Sequence, residues 1–144
     1  MQHTDRMITI FAPNTMGEDF IRQLRGAGMK VAAIVNNMRG IKRMEKLGIH
    51  EVWKIRTADS MTFPPETPIG RIYLFESSFT LTCRLLQLIR PCTSERIVII
   101  TKNHYPRSIY RLLGCDMVVY TQSDNVSFLL SDLLTEQSKY SEHA

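Results

Sequence analysis

The chain has 144 residues, a mass of 16.6 kDa, 44% hydrophobic and 22% charged residues, a balance that fits one globular domain and excludes a disordered chain, a collagen or a coiled coil. Its net charge of +4 divides as +3 over residues 1–70 (ten basic, seven acidic) and +1 over residues 71–144 (eight basic, seven acidic). That is too even for a nucleic-acid face, since the one basic cluster is Arg39, Lys42, Arg43 and Lys46.

The first element is a buried strand, Met7-Ile8-Thr9-Ile10-Phe11-Ala12. A helix follows from Thr15 to Ala27, with Phe20, Ile21 and Leu24 on one face and Gly26 and Gly28 closing it. Val31–Val35 is a second buried strand. Met38 to Leu47 is a helix with Met38, Ile41, Met44 and Leu47 at three-to-four spacing, stopped by Gly48. Val52–Ile55 is a third strand, whose Glu51 and Lys54 suit a sheet edge. Pro64, Pro65 and Pro68 forbid a regular helix over 56–69. Arg71–Phe75 is the fourth strand and Phe79 to Arg90 a helix with Leu81, Leu85, Leu88 and Ile89 inward. Arg96–Thr101 is the fifth strand, Pro106 to Leu113 a helix stopped by Gly114, and Met117–Tyr120 the sixth strand. Asp124 to Leu134 is the last helix, with Val126, Leu130, Leu133 and Leu134 inward, so a single domain over 1–134 and a polar tail over 135–144 are expected.

Continuous apolar strands are buried on both faces, and strands joined through helices run parallel. The expected fold is therefore α/β: a doubly wound, Rossmann-like parallel sheet of six strands in one domain, with order 3-2-1-4-5-6. The flavodoxin-like order competes, and periodicity alone does not separate the two.

In such a sheet the ligand crevice lies at the carboxyl ends of the strands where the order reverses, after strands one and four. The first turn is Ala12-Pro13-Asn14-Thr15-Met16-Gly17. Laid over the dinucleotide fingerprint GxGxxG, Ala12 and Asn14 replace the first two glycines and Gly17 keeps the third, which serves close helix–strand packing. Thr15-Met16-Gly17-Glu18 also reads as a capping box. The turn thus reads either as a phosphate contact or as a helix cap. Strand two ends in Asn36-Asn37 followed by Arg39, with no carboxylate for ribose hydroxyls, so a 2′-phosphate meets no repulsion and Arg39 can grip it. The same residues read equally as Asn caps and a solvated basic face. After strand four, Glu76-Ser77-Ser78 line the crevice, or Ser77 or Ser78 simply caps the next helix. Thr57-Ala58-Asp59 after strand three reads as a polar loop or as a further place for an adenine or ribose contact. Catalytic constellations are scarce. No Tyr precedes a Lys by four residues, and there is no GxSxG elbow and no GxxxxGK[ST] loop.

No apolar run reaches the ~18 residues of a membrane span. Residues Met1 to Arg6 precede a run too short and poorly flanked for a signal peptide. The three cysteines, Cys83, Cys92 and Cys115, are scattered and form no Cys-x-x-Cys pair. A cytoplasmic protein with no disulfide, metal site or membrane insertion is expected.

The second half carries a family pattern. It runs from Ile72-Tyr73-Leu74-Phe75 through Leu85-Leu86-Gln87-Leu88-Ile89-Arg90-Pro91 and Arg96–Thr101 to Ile109-Tyr110-Arg111-Leu112-Leu113-Gly114-Cys115-Asp116-Met117-Val118-Val119. This resembles the N-terminal Rossmann domain of TrkA-type potassium-uptake regulators, the RCK domain, over about residues 7–134. The resemblance implies binding of NAD(P) or an adenine nucleotide, a homodimer, and a membrane transporter or channel subunit as partner. The chain departs from that family in its eroded glycine turn, in Asn36 or Asn37 at the ribose position, in the proline loop around Pro64-Pro65 and in lacking the following ligand domain. The function expected is a regulatory nucleotide-binding module. The alternatives are an atypical NADP-dependent reductase and a Rossmann-like interaction protein that has lost its ligand.

Overall fold

The computed structural model describes residues 7–55, 69–104 and 107–143. Thr57-Ala58-Asp59, the prolines at 64, 65 and 68, and Tyr105-Pro106 lie outside the described residues. Six strands, β1 (Met7–Phe11), β2 (Val31–Val35), β3 (Val52–Lys54), β4 (Ile69–Phe75), β5 (Ile97–Thr101) and β6 (Met117–Tyr120), form one sheet in the order β3-β2-β1-β4-β5-β6. Every pairing is parallel. The Rossmann order holds and the flavodoxin-like alternative falls. Five helices connect or follow the strands: α1 (Thr15–Gly26), α2 (Met38–Lys46), α3 (Phe79–Ile89), α4 (Arg107–Leu112) and α5 (Ser127–His143).

The strand pattern explains the layering. Alternate residues of a strand face opposite sides, and here both sides are apolar. One core joins Ile10, Ala33, Tyr73, Phe75, Val98 and Ile100 of the sheet to Phe20, Ile21 and Leu24 of α1, Met44 of α2, and Leu129 and Leu133 of α5. The other joins Phe11, Ile34, Ile72, Leu74, Ile97 and Ile99 to Leu85, Leu86, Leu88 and Ile89 of α3 and Tyr110 of α4. Helices thus cover both faces. The edge strand β3 carries exposed Lys54, with exposed Glu51 just before it.

Helix ends follow local chemistry. Gly28 and Gly48 adopt φ of 79° and 77° just past α1 and α2, a left-handed conformation that side chains resist. The last helix differs from the sequence expectation at both ends. It starts at Ser127 because Asn125 and Ser123 close a polar turn: the Ser127 N–H donates to Asn125 Oδ1 (2.9 Å) and the Asn125 N–H to Ser123 Oγ (3.0 Å). It runs on to His143 because no glycine or proline interrupts 135–143. Its inward residues are Leu129 and Leu133, with Val126 buried just before its start, Leu130 partly buried and Leu134 45% exposed. Met38, expected inward, is also exposed at the first position of α2. Among the described residues no helix is long and apolar enough to cross a membrane.

Candidate functional site

The reversal of strand order falls between β1 and β4. Two pockets open at the carboxyl ends of the strands, one on each side of the first turn. The β2-side pocket, of about 200 Å³, is lined by residues that include Phe11, Ala12, Asn36, Asn37, Arg39 and Arg43. The β5-side pocket, of about 580 Å³, is lined by Asn14, Thr15 and Met16 of the first turn, by Glu76, and by Thr101 to Asn103, among others.

The first turn is built for close approach. A Cβ on Gly17 would sit 2.7 Å from Ala12 Cβ and 2.8 Å from Ala12 Cα, with Phe75 at 3.2 Å. Gly17 therefore lets α1 press against the end of β1, the packing role read for the third glycine. The cap is Asn14 rather than Thr15. The Gly17 N–H donates to Asn14 Oδ1 (3.0 Å), and the Asn14 backbone is extended. Among the described residues the N–H groups of Thr15 and Met16 have no protein acceptor, as the first N–H groups of a helix generally do not.

Glu18 does not complete the expected capping box. Its carboxylate is turned aside to the Arg43 guanidinium, with which it forms an ion pair, and its side chain is 10% exposed. Arg43 Nη1 also donates to Pro13 O (3.4 Å), so a residue of α2 clasps the first turn. Arg39 and Arg43 stand one helical turn apart and line the same pocket. Asn37 caps α2 through the Gly40 N–H (2.8 Å), and Asn36 Oδ1 accepts from Asn37 Nδ2 (3.3 Å).

The β5-side pocket has an acidic lining: Asp19, Glu76 and Asp124, with one cation, Lys102, paired to Asp124. Glu76, at the end of β4, is the most constrained. Its Oε1 accepts from Thr101 Oγ1 (2.6 Å) and Asn103 Nδ2 (2.8 Å), and its Oε2 accepts from the Tyr110 hydroxyl. Tyr110 is fully buried. Burial, then the Glu76 carboxylate, push its phenol well above the ordinary tyrosine range. Burial and, to a lesser extent, Glu76 also push the Cys83 thiol up.

The structure therefore places Ala12, Asn36, Asn37 and Arg39 on one pocket and Asn14, Thr15 and Met16 on the other, with Gly17 buried beneath the turn. Ser77 and Ser78 line neither pocket. Ser78 caps α3, with its Oγ accepting from the Leu81 N–H (3.2 Å), and Ser77 is exposed. Arg43, Thr101, Asn103 and Asp124 were not singled out as site residues from the sequence. The i, i+4 relation to Arg39 pointed to Arg43, and the neighbouring of β4 and β5 pointed to Thr101. His104 stacks on Tyr120, with ring centroids 4.2 Å apart. None of the three cysteines is in a disulfide, and no group of three His, Cys, Asp or Glu among the described residues could hold a metal.

The chain has a Rossmann-like fold. Solved structures agree with that assignment. The NAD(P)-binding domain of an exopolyphosphatase-related protein from Archaeoglobus fulgidus matches with a TM-score of 0.65 and 16% identity, over 94% of this chain and 99% of that one. The GsuK channel bound to NAD matches with a TM-score of 0.64 and 18% identity, over 81% of this chain and 21% of the channel chain. A mutant of the same channel gives 0.63 and 18%, over 81% and 31%. This chain thus corresponds to a minor part of the channel's length. No family model matches the sequence, and neither does any curated protein.

Proposed function

We propose that the chain is a regulatory module that binds an NAD(P)-type dinucleotide, or an adenine nucleotide, across the first turn. The observation that carries this reading is the pair of pockets flanking Asn14–Gly17 at the point where strand order reverses. A dinucleotide has two nucleosides joined by a pyrophosphate, and the site has two pockets joined at a helix N-terminus. The likeness in fold to an NAD-bound channel supports the same reading and a channel or transporter subunit as partner. A homodimer belongs to the proposal as well. The apolar residues of α3 offer no dimer face, since Leu85, Leu86, Leu88 and Ile89 are buried inside the monomer. The support comes instead from Leu112, 86% exposed, with Ile109 beside it on α4.

A thermal-shift series with NAD, NADH, NADP, NADPH, ATP, ADP and AMP tests the binding. At a hundredfold excess over the dissociation constant a true ligand stabilises the fold by about 2.7 kcal/mol, a rise of several degrees for a chain of this size. A cooperative melt that none of the seven moves at millimolar concentration refutes the proposal.

The β2-side pocket favours a 2′-phosphate. It contains Arg39 and Arg43 and no carboxylate. Arg39→Ala is expected to weaken NADP binding about tenfold, the value of one charge-assisted hydrogen bond, and to leave NAD nearly unchanged. Paired titrations check it. Equal losses for both nucleotides remove Arg39 from the phosphate site.

A further inference from the structure

Arg43 has two claimants. It lines the β2-side pocket with Arg39, four residues earlier on α2. Its guanidinium is also engaged by two groups of the first turn and α1: Pro13 O, 3.4 Å from Nη1, and the Glu18 carboxylate, ion-paired to Nη2. Glu18 sits in the first turn of α1 and is buried, with its residue 7% exposed. Its Oε2 makes no conventional hydrogen bond, so Arg43 is the group that compensates its charge. A buried carboxylate whose cation leaves bears a heavy desolvation penalty. Arg43 touches the turn at Pro13 and lines the pocket, with its side chain 37% exposed.

We propose that Glu18 sets the affinity of the β2-side pocket for a ribose phosphomonoester by competing with it for Arg43. The inference rests on the dinucleotide reading above. A 2′-phosphate offers Arg43 a better-solvated dianionic partner beside Arg39, and two guanidinium groups one helical turn apart bracket it. To take that partner Arg43 must release Glu18, so the buried carboxylate acts as an internal competitor. NAD, with a free 2′-hydroxyl, makes no such demand on Arg43. Its pyrophosphate feels Glu18 only through general charge, and NADP shares that effect equally. The ratio of NADP to NAD affinity therefore isolates the competition.

The test is calorimetric titration of NADP, NAD and 2′,5′-ADP into the full chain and its variants. Glu18→Gln retains the side-chain shape and frees Arg43. It is expected to raise the NADP-to-NAD affinity ratio by about tenfold and to tighten 2′,5′-ADP in parallel. Adding Arg43→Met to Glu18→Gln removes the gain. Arg43→Lys, which keeps a cation for Glu18 but loses the fork that grips phosphate, lowers the ratio while the fold still melts cooperatively, so the proposal does not depend on one variant being well folded. Equal gains for NAD and NADP in Glu18→Gln overturn the competition and leave the dinucleotide reading standing, as does an unchanged ratio. Absence of binding by all three compounds to every folded variant overturns both.

Discussion

Glu76→Ala is expected to cost about 3–5 kcal/mol of folding stability, the range for removing one partner of a buried charged network. The Glu76 carboxylate is the shared acceptor for Thr101, Asn103 and Tyr110. Without it the buried Tyr110 hydroxyl loses its carboxylate acceptor and the buried Thr101 hydroxyl keeps only the long contact to Asn103 O (3.4 Å), and a buried hydroxyl left unsatisfied costs about 1–3 kcal/mol. Glu76→Gln keeps one carbonyl acceptor and is expected to lose less than half as much. Urea unfolding of the three proteins checks the order, and equal midpoints would show that the network contributes nothing. The network also has a pH signature. The Tyr110 phenol ionises well above its ordinary value of 10.0 in the folded chain, because burial and the Glu76 carboxylate both oppose its charge. Above that pH the unfolded chain releases the proton and the folded chain keeps it. Stability is thus full below about pH 10 and falls as pH rises, by roughly 1.4 kcal/mol per unit for this one group. Buried Tyr73 adds in the same direction. Tyr110→Phe should flatten the alkaline decline without abolishing it. A Tyr110→Phe chain that declines as steeply as wild type would show that Tyr110 does not carry it.

Gly17→Ala is expected to lower stability by about 2–3 kcal/mol, the upper range for overpacking, and to lower the thermal midpoint by several degrees. The added methyl falls 2.8 Å from Ala12 Cα, which is backbone. No rotamer change relieves that clash, so α1 must lift from β1. Lifting also parts the two pockets, which share the first turn, and nucleotide stabilisation should vanish with it. Gly26→Ala is the control. A Cβ there meets nothing within 4 Å, and alanine favours a helix end more than glycine does. Differential scanning calorimetry distinguishes them: a Gly17→Ala midpoint no lower than that of Gly26→Ala would mean that α1 and β1 are not in close contact.

The sheet was legible because its signal is long-range and redundant. Each of Val31–Val35, Ile72–Phe75 and Ile97–Ile100 is an uninterrupted apolar run, and each is buried on both sides. Crossover handedness narrowed the strand order to the Rossmann and flavodoxin-like arrangements, and only the pairing of the folded strands decides for the first. The site was legible only where one residue type has one job. Gly17 announces close packing. Asn14, Thr15 and Glu18 do not announce which of them caps the helix, because any small polar residue can. The capping box failed because Arg43, 25 residues further along the chain, offers Glu18 a charge. The hydrogen-bonded set around Glu76 unites the ends of β4 and β5 with α4, and no local window of sequence contains it. Ser78 shows the converse: a polar residue after a strand at the reversal point capped a helix instead of facing the cleft.

The pairing list has one further implication. β1, β2 and β3 bond among themselves, β4, β5 and β6 among themselves, and among the described residues the β1–β4 seam is the one strand pairing that joins the two sets. Each set comes from one continuous half of the chain. The two pockets lie on opposite sides of the first turn, which emerges from that seam. A ligand confined to the β2-side pocket grips the first half alone, whereas one in the β5-side pocket also touches Asn14, Thr15, Met16 and Asp19 of the first half beside Glu76 and Thr101 of the second. A ligand long enough to fill both acts as a rivet through the joint. Its binding energy then opposes shear between the halves, and this turns occupancy into stiffness of the whole body.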